Sequence, residues 1–379
     1  HHAEIGGISP GSMPPAARSL AEEGVVIKPF YLARRGEVDW KGMEEILNGA
    51  PYPTRNLAEN LADLNGALAA NIRGVIELQS LAALHGTQRV REFMSRLKDY
   101  ARQLTLDTIA HHHLDYAHAT ELLDDGSPLS VNIKKSGSGY LIDFTGSAPV
   151  HPGNLNANPA IVHSVIMYVL RLLLDRDIPL NDGLLEAVNV LLPEGLLNPP
   201  FPDDPFQCPA LVGGNVEVSQ RLTDTLLKAL QLQAASQGTM NNVLFGNDHF
   251  GYYETICGGC GAGPDFQGAA AVHHHMTNTR ITDPEILEHR YPVRLESFQI
   301  RHASGGKGQN RGGDGVIRRL LFLEPVQLSL LTQRRISGPY GMAGGSDGHP
   351  GKQWIIRKDG TRETLPSVSS SEMQSGDTF

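Results

Sequence analysis

The chain has 379 residues, with 32 Lys and Arg against 41 Asp and Glu for a formal net charge of −9. That length suits roughly two domains of ~150 residues each, and the negative balance argues against nucleic acid, whose binding rests on Lys and Arg neutralising phosphates. With 41 Gly and 24 Pro beside only 19% charged residues, much of the backbone is expected in turns and loops, which argues against a helical bundle. Three cysteines, Cys208, Cys257 and Cys260, are too few for a disulfide framework and favour a reducing cytosol. The most apolar run, 161–174, is cut by His163 and Arg171 and falls short of the ~20 residues of a membrane span.

Residues 1–55 read as loop-rich, with a strand over 25–32. From Asn56 the positions Leu57, Leu61, Leu64, Leu68, Ile72 and Val75 recur at helical spacing, Asn56 and Glu59 form a capping box, and Gly86 is a stop. A second periodic run from Val90 to Leu104 completes an antiparallel hairpin over 56–115. Its facing apolar side chains are each expected to contribute about 1.5–3 kcal/mol on burial. Beyond 124 the pattern turns to period two, with SVNIKKSGSGYLIDFTGS reading as a β-hairpin. Asn158 and Pro159 open a buried helix to 174, another helix spans 219–235, and strands are predicted at 293–301, 316–323, 326–331 and 353–358. The fold class predicted is α+β: mixed sheets, a long helical hairpin and a Gly-rich, β-dominated C-terminal region within 116–379.

Several clusters carry candidate chemistry. His1, His2 and Glu4 offer N and O donors suited to Zn, Mn or Fe, although a tag remnant or surface pair has the same composition. His111, His112 and His113 close a helix, where cationic side chains suit the macrodipole. His273, His274 and His275 would alternate faces if they lie in a strand. Cys257 and Cys260 have zinc or redox spacing but lack a second C-x-x-C. The glycine clusters 304–315 and 344–352 do not meet the P-loop pattern, because Ser346 and Gln353 stand where Gly and Ser/Thr are needed. No ATP site is predicted, and a serine hydrolase is unsupported. Asn215, Glu217 and Arg221 at a helix entrance form either an anion site or a cap. His249, Tyr252, Tyr253 and Glu254 lie in a glycine-rich turn that reads as a binding loop or a tight β-corner.

Taken together, HHAEIGGISPGSMPP, DFTGSAP, DIPLNDG, GGNVEVSQR, GYYETICGGCGAGP, HHHMTNTRITDPEILEHRYPV and GGKGQNRGGDGV resemble the hydantoinase B/oxoprolinase family, in the family's order and across nearly all of the chain. The resemblance implies a hydrolase component that opens a cyclic amide, 5-oxoproline to glutamate or a hydantoin, after ATP-dependent phosphorylation by a hydantoinase A-like ATPase subunit or fused domain. ATP is then used by the partner half, and a divalent metal (Zn, Mn or Fe) generates the attacking hydroxide here. It also implies His1 and His2 as metal ligands, with 1–55 the remainder of an N-terminal metal-site domain and further sequence expected at both ends. Glu254 and His249 are then the catalytic candidates, and Asn215, Glu217, Arg221, Asn278 and Arg280 the substrate-binding ones. The expected setting is cytoplasmic, with a small lactam or hydantoin as substrate and neither nucleic acid nor membrane as partner. The alternatives are an acetone carboxylase alpha-like subunit and a non-catalytic metal-binding or assembly module.

Overall fold

The computed structural model describes residues 4–111, 115–137, 139–174 and 176–379. The N-terminal stretch winds as loops before a small hairpin, β1 (Ala33–Arg34) and β2 (Glu37–Val38), and the helix α1 (Trp40–Gly49), capped by Asp39. No strand forms over 25–32. Val25 instead bonds Ile5 O and packs against Met43 and Leu47 of α1.

The hairpin follows as α2 (Leu57–His85) and α3 (Thr87–His111). Asn56 accepts from Glu59 N at 3.3 Å and donates to Glu59 Oε2 at 2.7 Å, and Gly86 ends α2 with φ 85°, a conformation glycine adopts without strain. The burial expected of its apolar face is confined to its ends. Asn60 is the one buried residue of α2, while Ile72 is 52%, Leu84 76% and Phe93 63% exposed. The start of α2 packs Leu57, Leu61 and Leu64 on the Val25, Met43 and Leu47 cluster, and the end of α3 reaches other cores through Ala101 and Ile109. The 3.6-residue period specifies the helices, but it does not specify what covers them.

The first sheet comprises β3 (Tyr116–Leu122), β4 (Pro128–Ser136), β5 (Gly139–Asp143) and β6 (Val188–Leu191), in that order. β6 runs parallel to β5, so the chain must cross over, and α4 (Pro159–Leu173) lies in that crossover. With α5 (Ser219–Ala229), α4 packs on the sheet around Leu129, Val131, Val162, Ile166, Leu222 and Leu226. α5 stops six residues before the sequence reading, where Leu230 caps it and Gln231 turns with φ 55°.

The C-terminal half contributes β7 (Asn242–Gly246), β8 (Gly251–Thr255), the short helix α6 (Pro284–Arg290), β9 (Val293–Arg301), β10 (Gly315–Phe322), β11 (Val326–Leu331), β12 (Trp354–Ile356), β13 (Arg362–Thr364) and β14 (Val368–Met373). An antiparallel sheet of order β14-β11-β7-β8 packs against the β9–β10 hairpin. Phe245 is central to this second core, with ring centroids 4.8 Å from Tyr252 and 5.4 Å from Phe322. His273, His274 and His275 are not in a strand: pairing is confined to one bridge, Val272 to Gly258, and His275 turns away with φ 51°.

Candidate functional site

Between the two cores lies a cleft of about 1080 Å³, walled by glycine-rich loops at 258–263, 304–315 and 341–351. Glycine is needed there for close approach. A Cβ on Gly261 would fall 1.8 Å from Ala234 O, and one on Gly313 would fall 1.9 Å from Ala269 O. Several loop amides hold the walls together: Gly313 N donates to Cys260 O, Gly312 N to Gly306 O, Gly305 N to Asp314 Oδ1 and Gly261 N to Ser236 Oγ. These four glycines shape the cavity, with their own amides spent on its walls.

The cleft floor rests on a buried ionic layer whose origin is readable in local periodicity. Alternation in β3 carries Ala117, Ala119 and Glu121 inward. On α5, Arg221, Asp224 and Lys228 recur at three- and four-residue steps and so share one face, which meets Glu121. Lys228 Nζ donates to Glu121 Oε1, and Arg334 Nη2, arriving from the segment after β11, lies 3.3 Å from Glu121 Oε2 and 3.6 Å from Asp224 Oδ2. Burial pushes the Asp224 carboxyl up to about 7 and the Arg221 guanidinium down to about 10. Beside this layer Ser236 Oγ is 2.9 Å from His275 Nε2, and Tyr168 OH is 3.1 Å from His275 Nδ1. Burial lowers the His275 imidazole to about 4, so it is neutral at pH 7. Ser236 Oγ also lies 3.6 Å from Cys260 Sγ at the cleft wall.

Against known proteins, the hydantoinase B/oxoprolinase family matches residues 1–379. The chain belongs to that family. 5-oxoprolinase 1 of Arabidopsis thaliana is 39% identical over 100% of this chain, which spans 31% of that relative's length. The fold matches the crystal structure of an ATP-dependent caprolactamase from Pseudomonas jessenii with a TM-score of 0.83, at 22% identity, covering 99% of this chain and 68% of that one. A nucleotide-free acetone carboxylase structure also matches at 0.83, with 17% identity over 100% of this chain and 58% of the other.

Within this family member, none of the catalytic or substrate-binding candidates named from the sequence lines the cleft among the described residues. Glu254 is in the second core, where Arg318 Nε and Nη2 donate to its two oxygens at 2.6 and 2.9 Å, and Tyr252 OH adds a third bond at 2.9 Å. Both side chains of that pair are 2% exposed, so the carboxylate is committed to holding β8 on β10. His249 is exposed in the β7–β8 turn. Asn215 is exposed on a π turn, Gly214–Val218, that runs directly into α5, so the free helix N-terminus expected beside it is absent. Glu217 and Arg221 are fully buried: Glu217 Oε1 accepts from Asn242 Nδ2 at 2.6 Å, burial raises its carboxyl to about 8, and Arg221 Nη1 donates to Leu122 O. Asn278 and Arg280 sit on an exposed loop.

His1, His2, His112 and His113 lie outside the described residues. Cys257 and Cys260 both line the cleft as free thiols. No group of three His, Cys, Asp or Glu side chains suited to a metal occurs among the described residues. The cleft cations Lys228, Arg318, Arg334 and Arg335 were not anticipated. The signal available for two of them was the Arg334-Arg335 dipeptide, placed between an apolar strand and the Gly-Pro turn at 338–339.

Proposed function

We propose that the chain is the ring-opening part of an ATP-dependent cyclic amidase acting on 5-oxoproline or a related lactam or hydantoin. The family match across all 379 residues carries this reading, and 5-oxoprolinases are among the relatives it spans. Those relatives continue well beyond the matched region, which supports an ATPase half, fused or separate, as partner. An amide is a poor electrophile until its oxygen is phosphorylated, so dividing the work between an activating half and a hydrolytic half is chemically economical. In this reading the ring-opening end is the β7–β8 turn. Gly251 there lies against Glu4 and Gly11, close enough that a Cβ would meet Glu4 Oε2 at 2.6 Å, and this brings His249 towards the segment that follows His1 and His2.

A divalent metal held by His1 and His2 belongs to the same proposal, and it would supply a hydroxide nucleophile. Glu4 does not fit as a further ligand. Its Oε1 accepts from Gly6 N at 2.9 Å and Arg55 Nη1 at 3.0 Å, and its Oε2 from Gly11 N at 2.8 Å. Its role is to fold the loop.

The test is substrate-dependent ADP release by the full-length protein with its ATPase half, offered 5-oxoproline, hydantoin, or a ketone with bicarbonate. Release with either cyclic amide, accompanied by its ring-opened product, is expected. Release only with ketone and bicarbonate would replace this reading with a carboxylase. Metal content and turnover both unchanged in His2→Ala would remove the metal assignment and favour an assembly role.

A further inference from the structure

We propose that the glycine-walled cleft binds a small molecule through an oxyanion, phosphoryl or carboxylate, held by Arg301, Lys307, Arg335 and Lys352. The cleft lining contains Lys and Arg side chains but neither Asp nor Glu, in a chain where acids outnumber bases. Part of that positive charge is neutralised from behind the wall: Lys228 and Arg334 face Glu121, Arg318 faces Glu254, and Arg319 is 4.0 Å from Glu296. Arg301, Lys307, Arg335 and Lys352 have no carboxylate within ion-pair distance among the described residues. Arg301 Nη1 bonds Pro350 O at 2.9 Å, and among the described residues neither the Lys307 nor the Lys352 ammonium makes an ion pair or hydrogen bond.

Arg335 is the most informative of these. Its side-chain nitrogens meet three neutral acceptors, Gln353 Oε1 at 3.0 Å, Gln333 O at 2.6 Å and Asn241 Oδ1 at 2.8 Å. The guanidinium is thus oriented by neutral acceptors, while the carboxylates that favour its charge, Glu217 and Asp124, make no ion pair with it among the described residues. A cation withdrawn from water is unfavourable unless an anion joins it, and here the open side is the cleft. Arg318, at the same wall, also has a buried Nη1 without a partner. With several of the glycine amides spent on the walls, recognition rests on these side chains, which form charge-assisted bonds to oxyanions. A neutral amide ring would leave the four cations unanswered. A polyanion such as nucleic acid would need an extended basic face in place of a concave pocket on a chain of net charge −9.

The cleft end of β7 is at Asn241 and the His249 turn is past Gly246, so the two features are separated by roughly 15 Å of strand. The anion site therefore goes beyond the ring-opening assignment and does not depend on it.

Isothermal titration of the full-length protein with inorganic phosphate, and separately with glutamate, tests the proposal. Saturable binding of at least one probe is expected, weakening as salt is raised. It should weaken by about tenfold or more in K307A/K352A, whose truncated side chains are exposed and unpartnered and so leave folding intact. R335Q should weaken it too, with thermal unfolding used to verify that variant's fold. Binding of phosphate alone identifies a phosphoryl ligand and binding of glutamate alone a carboxylate; both support the site. No saturable binding by either probe, or equal binding in K307A/K352A, overturns it. Amide turnover without anion binding overturns the site alone, whereas anion binding without turnover overturns only the amidase reading.

Discussion

The Glu254–Arg318 pair separates a structural carboxylate from a chemical one. Both side chains are 2% exposed and are joined by two bonds of 2.6 and 2.9 Å, with Tyr252 OH as a third donor at 2.9 Å. Glu254→Gln keeps the shape but leaves a buried guanidinium without its counter-charge, which costs about 3–5 kcal/mol. At roughly 2–4 °C per kcal/mol for a domain of this order of size, the unfolding midpoint should fall by roughly 6–20 °C. Removing both charges in Glu254→Leu/Arg318→Leu should recover much of that loss, since apolar replacements of a buried pair are often neutral. Thermal and urea unfolding of the wild type, both single variants and the double variant give the coupling directly. The reasoning is refuted if Glu254→Gln keeps its midpoint while turnover falls by about two orders of magnitude. That result would return Glu254 to the catalytic role its sequence setting suggested.

Gly261→Ala and Gly74→Ala should move stability in opposite directions. The first puts a Cβ 1.8 Å from Ala234 O and should cost at least about 1–3 kcal/mol, while the second meets nothing within 4 Å on an exposed helix and should gain about 0.5–1 kcal/mol; urea midpoints decide. Glu217, raised from an ordinary 4.5 to about 8 by burial, keeps its proton in the folded chain when the unfolded chain has released it. Its contribution is therefore fully present below about 4.5 and is lost as pH rises through about 8, at up to ~1.4 kcal/mol per pH unit. Glu217→Gln should flatten the decline in unfolding midpoint over that window, and an unchanged slope would contradict the assignment. Asn56→Ala removes the cap on α2 and should cost about 1 kcal/mol, visible as faster amide exchange in the first turn of that helix.

Much of the fold was legible because local rules act over a few residues. Asn56 with Glu59, Gly86 after His85, and Asn158 before Pro159 mark helix ends that the structure reproduces, and period-two patterning located the β4–β5 hairpin. The same rules anticipated the buried helix α4 but not what covers the helical hairpin. The spacing of Ile72 and Val75 specifies a helix face, yet that face is exposed along most of α2. The cleft was hidden for a related reason. Its walls come from segments near 228–264, 297–319 and 332–354, and a cation's meaning depends on which carboxylate stands behind it. Glu254 looked chemical beside Tyr252 and Tyr253, until Arg318, 64 residues away, proved to neutralise it. Arg335, next in sequence to the ion-paired Arg334, forms no ion pair among the described residues, its guanidinium meeting neutral acceptors instead.

Glutamate formed per ADP released from 5-oxoproline, measured on the full-length protein and on a version lacking the region of residues 1–379, tests the central claim most directly. The ring-opening assignment predicts near-equal amounts of glutamate and ADP in the intact protein and no glutamate when this region is removed, with restoration when it is added back as a separate chain. Undiminished glutamate formation without this region would contradict it.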